Sequence, residues 1–274
     1  MHVGDGDRFE TNWKHTVEAS YSHFVRGDLQ NQIQFAFRKH WETISALIEK
    51  PISELRVLEV GCGRGSLSAY FADNGAECHL LDISPKAIKI AKGSFENYRL
   101  NGSFHIGDCL NLPFDGDQFD VVFSIGLLEH FEDVRRVIEE KHRVLKTGGL
   151  MFNYIVPHIP QNIQNEYHWF NEILETILPK STELNKVEVF RSDDLSDRYK
   201  YILSELKMDN VFSTGVYPLP MISNSPSFPF TLLNENAEKL ILKKFERILS
   251  EQKNGNPWFC EETRGQAIIV TGNK

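Results

Sequence analysis

The chain has 274 residues, 41% hydrophobic and 25% charged, which suits one large α/β domain with an insertion or two smaller domains and excludes overall disorder. A formal net charge of −8 argues against a broad nucleic-acid surface, and no apolar run approaches the roughly 18 residues of a membrane span. The cysteines, Cys62, Cys78, Cys109 and Cys260, show neither a C-x-x-C pair nor zinc-ligand spacing, so a structural role is expected for them rather than a redox or metal one.

The N-terminus has no basic start and no apolar stretch of the signal-peptide kind, so a cytoplasmic protein is expected and Asn101-Gly-Ser103 is a chance glycosylation match. Beyond a polar first ten residues, Trp13, Val17, Tyr21 and Phe24 recur at helical spacing. A second helix is predicted between Asp28 and Pro51, with Ile33, Phe37, Trp41, Ile44 and Ile48 on its apolar face. Val57 to Val60 then reads as a strand ending in Glu59-x-Gly61-x-Gly63-x-Gly65, followed by a helix from Ser66. In an open α/β sheet such a turn lies at the carboxyl edge, where nucleoside-bearing ligands bind. A dinucleotide fingerprint would need Gly or Ala where Ser66 stands, which disfavours a nicotinamide dehydrogenase.

The second strand, from Glu77, closes on Asp82-Ile83-Ser84, with the acid about 20 residues past the glycines, where a carboxylate reaches ribose hydroxyls. Ser84 is a predicted cap, Pro85 sits at the first helical position, and Ala87, Ile88 and Ala91 follow. A third strand, Ser103 to Gly107, ends in Asp108-Cys109, and a fourth, from Phe119, runs through Ile125 to Glu129-His130. Val134, Val137, Ile138 and Val144 give the next helix a buried side, with Gly148-Gly149 expected to stop it before strand five.

After that strand the alternation ends. Pro157-His158-Ile-Pro160 breaks it, an aromatic and amide-rich piece carries Tyr167, His168 and Trp169, and a helix runs through Tyr199, Ile202 and Leu206 with Ser192 as its cap. A long insertion at this edge, about 156–206, is predicted to cover a substrate. A strand over Asn210 to Tyr217, a Pro- and Ser-rich loop, a helix over Asn236 to Ser250 and a strand over Ala267 to Thr271 complete the chain.

Taken in this order, the stretches between about 55 and 155 resemble the class I S-adenosylmethionine-dependent methyltransferases. The resemblance implies a doubly wound, Rossmann-like α/β fold of seven strands, mostly parallel with an antiparallel last strand, and S-adenosyl-L-methionine as cofactor. It implies a domain at 51–274 with a cap insertion, and 1–50 as a helical lid. For Trp13, Tyr21 and Trp41, packing on the sheet is the alternative to facing a substrate. Cofactor residues would be Glu59, Gly61, Gly63, Gly65, Asp82, Ile83, Asp108, Cys109 and Ile125, with the Asp108 carboxylate toward the adenine amine. His130 and His158 are candidate bases, since an acceptor that must lose a proton uses a group titrating near neutrality. Tyr154, Tyr167, His168 and Trp169 are candidate acceptor-binding residues, and no metal is expected. The implied activity is methyl transfer to an oxygen or nitrogen of a small cytoplasmic metabolite, with no nucleic-acid or membrane partner and the oligomeric state left open. A non-catalytic cofactor-binding module is the alternative. The stretch around Glu129 also resembles cyclopropane fatty acid synthases, where that acid helps to hold a bicarbonate with a histidine on strand five, but here Asn153 stands at the aligned position.

Overall fold

A computed structural model describes residues 23–156, 168–169, 195–220, 234–252 and 255–274. Its first element is α1 (Gln32–Ser45), whose start is fixed by Asn31, the side chain accepting from the backbone N–H of Ile33 and Gln34. The expected helix from Thr11 falls almost wholly outside the described residues. The apolar run then forms β1 (Arg56–Val60), and the glycine turn leads into α2 (Ser66–Asp73). β2 (Glu77–Asp82) is followed by α3 (Pro85–Tyr98), which begins as its sequence predicts: Ser84 Oγ accepts from Ala87 N at 3.2 Å and Pro85 occupies the first turn.

β3 (Ser103–Ile106), β4 (Phe119–Ile125), α4 (Arg135–Val144) and β5 (Leu145–Ile155) continue the alternation. Gly148 and Gly149 do not stop α4. The helix ends at Val144, and the glycines lie within β5, where the pairing with β4 jumps from Phe119–Leu145 to Val121–Leu150. The intervening residues bulge out, and Gly148 there takes φ +76°.

Next come α5 (Asp197–Glu205), β6 (Asp209–Val216), α6 (Glu235–Ser250), β7 (Phe259–Cys260) and β8 (Ala267–Asn273). The residue preceding α5 is Ser196, and its side chain does not cap the helix but bonds Ser213 and Glu262; Ser192 lies outside the described residues.

Among the described residues the strands form one sheet in the order β3-β2-β1-β4-β5-β8-β6-β7, eight rather than the expected seven. The extra strand is the two-residue β7, too short to leave a periodic signal, paired with β6 at the sheet edge. Strands β1 to β5 are mutually parallel, while β8 runs antiparallel to both β5 and β6. The chain moves outward from β1 to β3 and then returns to place β4 on the other side of β1, which opens a crevice between β1 and β4 at their carboxyl ends.

Two apolar layers cover the sheet. One face packs Val57, Phe123, Phe152 and Tyr154 against Phe35 of α1, Phe71 of α2 and Phe245 of α6. The other packs Leu58, Val122 and Met151 against Val137 and Ile138 of α4 and Leu203 of α5.

Candidate active site

The turn after β1 is held by the neighbouring strand. The backbone N–H groups of Gly61 and Cys62 donate to Leu81 O at 2.8 and 2.9 Å, and Gly65 N donates to Cys62 O at 2.7 Å. Gly61 and Gly65 take φ +69° and +67°. A Cβ on Gly65 would lie 2.4 Å from a methyl of Leu80, so both the backbone angle and the packing require glycine there.

Asp82, at the end of β2, is 8% exposed, and both its oxygens are already oriented. Oδ2 accepts from Gly63 N and Oδ1 from Ser84 N, each at 2.9 Å. A carboxylate oxygen can accept more than one hydrogen bond, which is what a pair of ribose hydroxyls would use. Ile83 follows it, half-buried. Glu59 lies beneath the turn: its Oε2 accepts from Ser68 Oγ at 2.5 Å and Ser68 N at 3.3 Å. Burial pushes the Glu59 carboxyl up to about 8 against the opposing Ser68 bonds. Glu59 therefore ties β1 to the start of α2. His23 reaches the same place from the N-terminal side, hydrogen-bonded through Nδ1 to Ser66 Oγ at 2.8 Å. Burial, with Arg64 nearby, lowers its pKa to about 3, so the ring is neutral.

Beyond β3, Asp108 is exposed and its Oδ1 accepts from Leu110 N at 2.9 Å. Cys109 is buried, its thiol pushed up to about 12 chiefly by burial. The loop that follows is clamped from α4, since Glu140 Oε2 accepts from Leu112 N at 2.8 Å while Arg143 donates to the carbonyls of Leu112 and Phe114.

Across the crevice, Ile125 ends β4 half-buried, and a 3-10 turn over Leu128–His130 follows. His130 is half-buried there. Glu129 beside it is 3% exposed; Oε1 accepts from Val156 N at 3.3 Å and Oε2 has no hydrogen-bond partner among the described residues. Burial pushes this carboxyl up to about 8, opposed by the Val156 N–H and by Arg198.

The candidate acceptor residues are distributed differently. Tyr154 is 1% exposed, with its ring edge-on to His40 at 4.4 Å. Trp169 packs half-buried against the α1-side layer, with Lys244 Nζ 4.4 Å from its ring centroid, and His168 is exposed. Tyr167 and His158 lie outside the described residues. The structure thus brings Glu59, the glycines, Asp82, Ile83, Asp108 and Cys109 to one stretch of the carboxyl edge, with Ile125 and His130 on the adjoining strand end. His23, His40 and Ser68 escaped the sequence reading because their partners are far away in the chain or, for Ser68, on another element.

Residues 58–153 match a protein family described as "Methyltransferase domain". Ajmaline N-methyltransferase of Rauvolfia serpentina is 33% identical over 110 residues, 39% of this chain and 37% of the relative. Ubiquinone biosynthesis O-methyltransferase of Coxiella burnetii is 38% identical over 96 residues, 35% of this chain and 41% of the relative. The matches thus span about two fifths of the length of these curated relatives. Among solved structures, magnesium protoporphyrin IX methyltransferase from Synechocystis, with bound SAH, superposes with a TM-score of 0.55 at 16% identity, covering 98% of this chain and 96% of that one, which shows a shared fold.

Proposed function

We infer that this chain, whose residues 58–153 form a class I S-adenosylmethionine-dependent methyltransferase domain, moves a methyl group from that cofactor to an oxygen or nitrogen of a small cytoplasmic molecule. The observation that carries this reading is the Asp82 carboxylate, held by the backbone N–H groups of Gly63 and Ser84 at the mouth of the crevice. That arrangement preorganises an acceptor for two neighbouring hydroxyls.

S-adenosylmethionine, when bound, supplies a methyl on a cationic sulfur, already activated for in-line displacement. The protein's share is then positioning and exclusion of water. Asp82 would hold the ribose and Asp108 the adenine amine, with the backbone of Cys109 beside it. The turn from Gly61 to Gly65 would face the amino-acid end, kept in shape by Glu59 through Ser68. His130, on the turn after β4, would take a proton from an acceptor, and His158 is the second candidate. Residues 1–50 would serve as a lid and 156–206 as a cap, with Tyr154, Tyr167, His168 and Trp169 toward the acceptor. The O- and N-methylating relatives support either accepting atom.

The test is calorimetric titration with S-adenosylhomocysteine. Loss of a charge-assisted bond of about 1.5 to 3 kcal/mol predicts roughly 10- to 150-fold weaker binding in Asp82→Ala. Equal affinity in the two proteins would remove Asp82 from the site.

A further inference from the structure

Two phenols near the ends of β5 and β6 stand without a hydrogen-bond partner for their hydroxyls among the described residues. They are Tyr154 and Tyr217, 1% and 3% exposed. Buried hydroxyls are ordinarily satisfied, so two orphans that pack against one imidazole call for a reason. Their place is informative. Because β8 is antiparallel to both β5 and β6, those two strands run in the same direction, and Tyr154 and Tyr217 mark the same carboxyl edge that carries Asp82 and Ile125.

Both rings pack on one imidazole: His40 lies 4.4 Å from Tyr154 and 6.3 Å from Tyr217, edge-on to each. Trp258 completes the group, stacked on Tyr217 at 4.8 Å and donating Nε1–H to His40 Nδ1 at 3.1 Å. Tyr217 also takes φ +63°, a left-handed angle that a bulky residue rarely adopts and that tends to occur at functional positions.

The electrostatics narrow the ligand. Burial lowers His40 to about 3, so it brings no positive charge. Burial raises both phenols, and the carboxylate of Glu238, itself engaged with Gln32 N at 2.9 Å, adds to that on Tyr217. An anionic group placed here would therefore meet a negative neighbour, and a cationic one would give up its hydration among buried rings where the Glu238 carboxylate is already bonded to Gln32 N and Nε2. Neutral hydroxyls donate or accept, and aromatic walls favour a flat partner.

We propose that Tyr154 and Tyr217, with His40 between them, form the acceptor subsite, which takes an uncharged, planar group bearing a hydroxyl or carbonyl oxygen. The proposal rests on the methyltransferase reading. Phenol serves as the probe, titrated by NMR into the full chain saturated with S-adenosylhomocysteine, with benzoate and benzylamine as charged comparators. The expected result is phenol binding stronger than either comparator, weakened roughly three- to tenfold by each of Tyr154→Phe and Tyr217→Phe, as loss of one neutral hydrogen bond implies. Both variants should retain S-adenosylhomocysteine affinity and an unchanged or raised melting temperature, because each removes an orphaned hydroxyl. Absence of phenol binding, equal affinity in the Tyr154→Phe/Tyr217→Phe double variant, or preference for benzoate or benzylamine would overturn the subsite. Failure of the wild-type protein to bind S-adenosylhomocysteine at all would instead overturn the methyltransferase reading beneath it.

Discussion

Lys141 is fully buried on the inner side of α4, its ammonium nitrogen donating to Ser124 Oγ at 3.0 Å and to Asn153 Oδ1. Both partners are neutral, and burial lowers its pKa from 10.5 to about 7. The unfolded chain keeps the proton up to about pH 10.5, while the folded chain releases it near 7. Between these values the unfolded state binds more protons, so this residue's contribution to stability rises with pH across the window and is flat below it. A gap of 10.5 to about 7 corresponds to roughly 5 kcal/mol in all, of which about 2 kcal/mol falls between pH 7 and pH 9. Lys141→Met keeps most of the volume and removes the titration, and Ser124 Oγ still donates to Asn153 Oδ1 at 3.1 Å. The variant is expected to be more stable than wild type by about 2 kcal/mol at pH 7, with the advantage shrinking by a similar amount at pH 9. Urea unfolding of both proteins at the two pH values measures the difference directly. A variant less stable at pH 7, or a difference independent of pH, would show that the lysine stays charged in the fold and would refute the reasoning.

Glu129 titrates with the opposite sign. Its carboxyl, raised by burial from 4.5 to about 8, lets the folded state hold the extra proton, so its contribution is full below 4.5 and lost as pH rises through 8. Glu129→Gln should flatten that decline in a series of melts from pH 5 to 8, and an unchanged slope would count against the buried acid. Gly65→Ala meets two costs, a φ of +67° and a Cβ 2.4 Å from Leu80, and should lower stability by about 2 to 4 kcal/mol in denaturant titration. A midpoint equal to wild type would mean the turn can relax.

What could be read without coordinates was whatever is written in short, local spacing. The Ser84-Pro85 start of α3, the glycine turn and the acid closing β2 each depend on residues a few positions apart, and each is found where expected. Glu59 shows the limit: its place two residues before Gly61 is legible, whereas the bond of one of its oxygens to Ser68 is seen only in the fold. Lys141 left a legible trace, since it falls on the stripe of Val137, Ile138 and Val144, but a lone lysine on an apolar stripe reads as one that reaches for solvent. Tyr217 left none. Its left-handed backbone, its stacking on Trp258 and its place two strands from β5 go with the β6–β8–β5 pairing, and nothing in the residues next to Tyr217 encodes a partner 41 positions away.

The family match ends at residue 153, yet β5 has β8 as its next neighbour, and residues 156–266 intervene between the two strands. Joining strands so distant costs loop-closure entropy, but that cost grows only with the logarithm of the connection, about 0.6 kcal/mol for each doubling. β6 pairs with β8, and α5 and α6 fill the two apolar layers, so change in that stretch comes at little expense only outside these elements. The cofactor edge is built from short, tightly coupled stretches that tolerate little drift. Under the proposed function the donor would be held by the turn after β1 and by Asp82, while the acceptor would be met by residues drawn from the far side of the sheet, so the acceptor would be expected to change faster than the methyl donor.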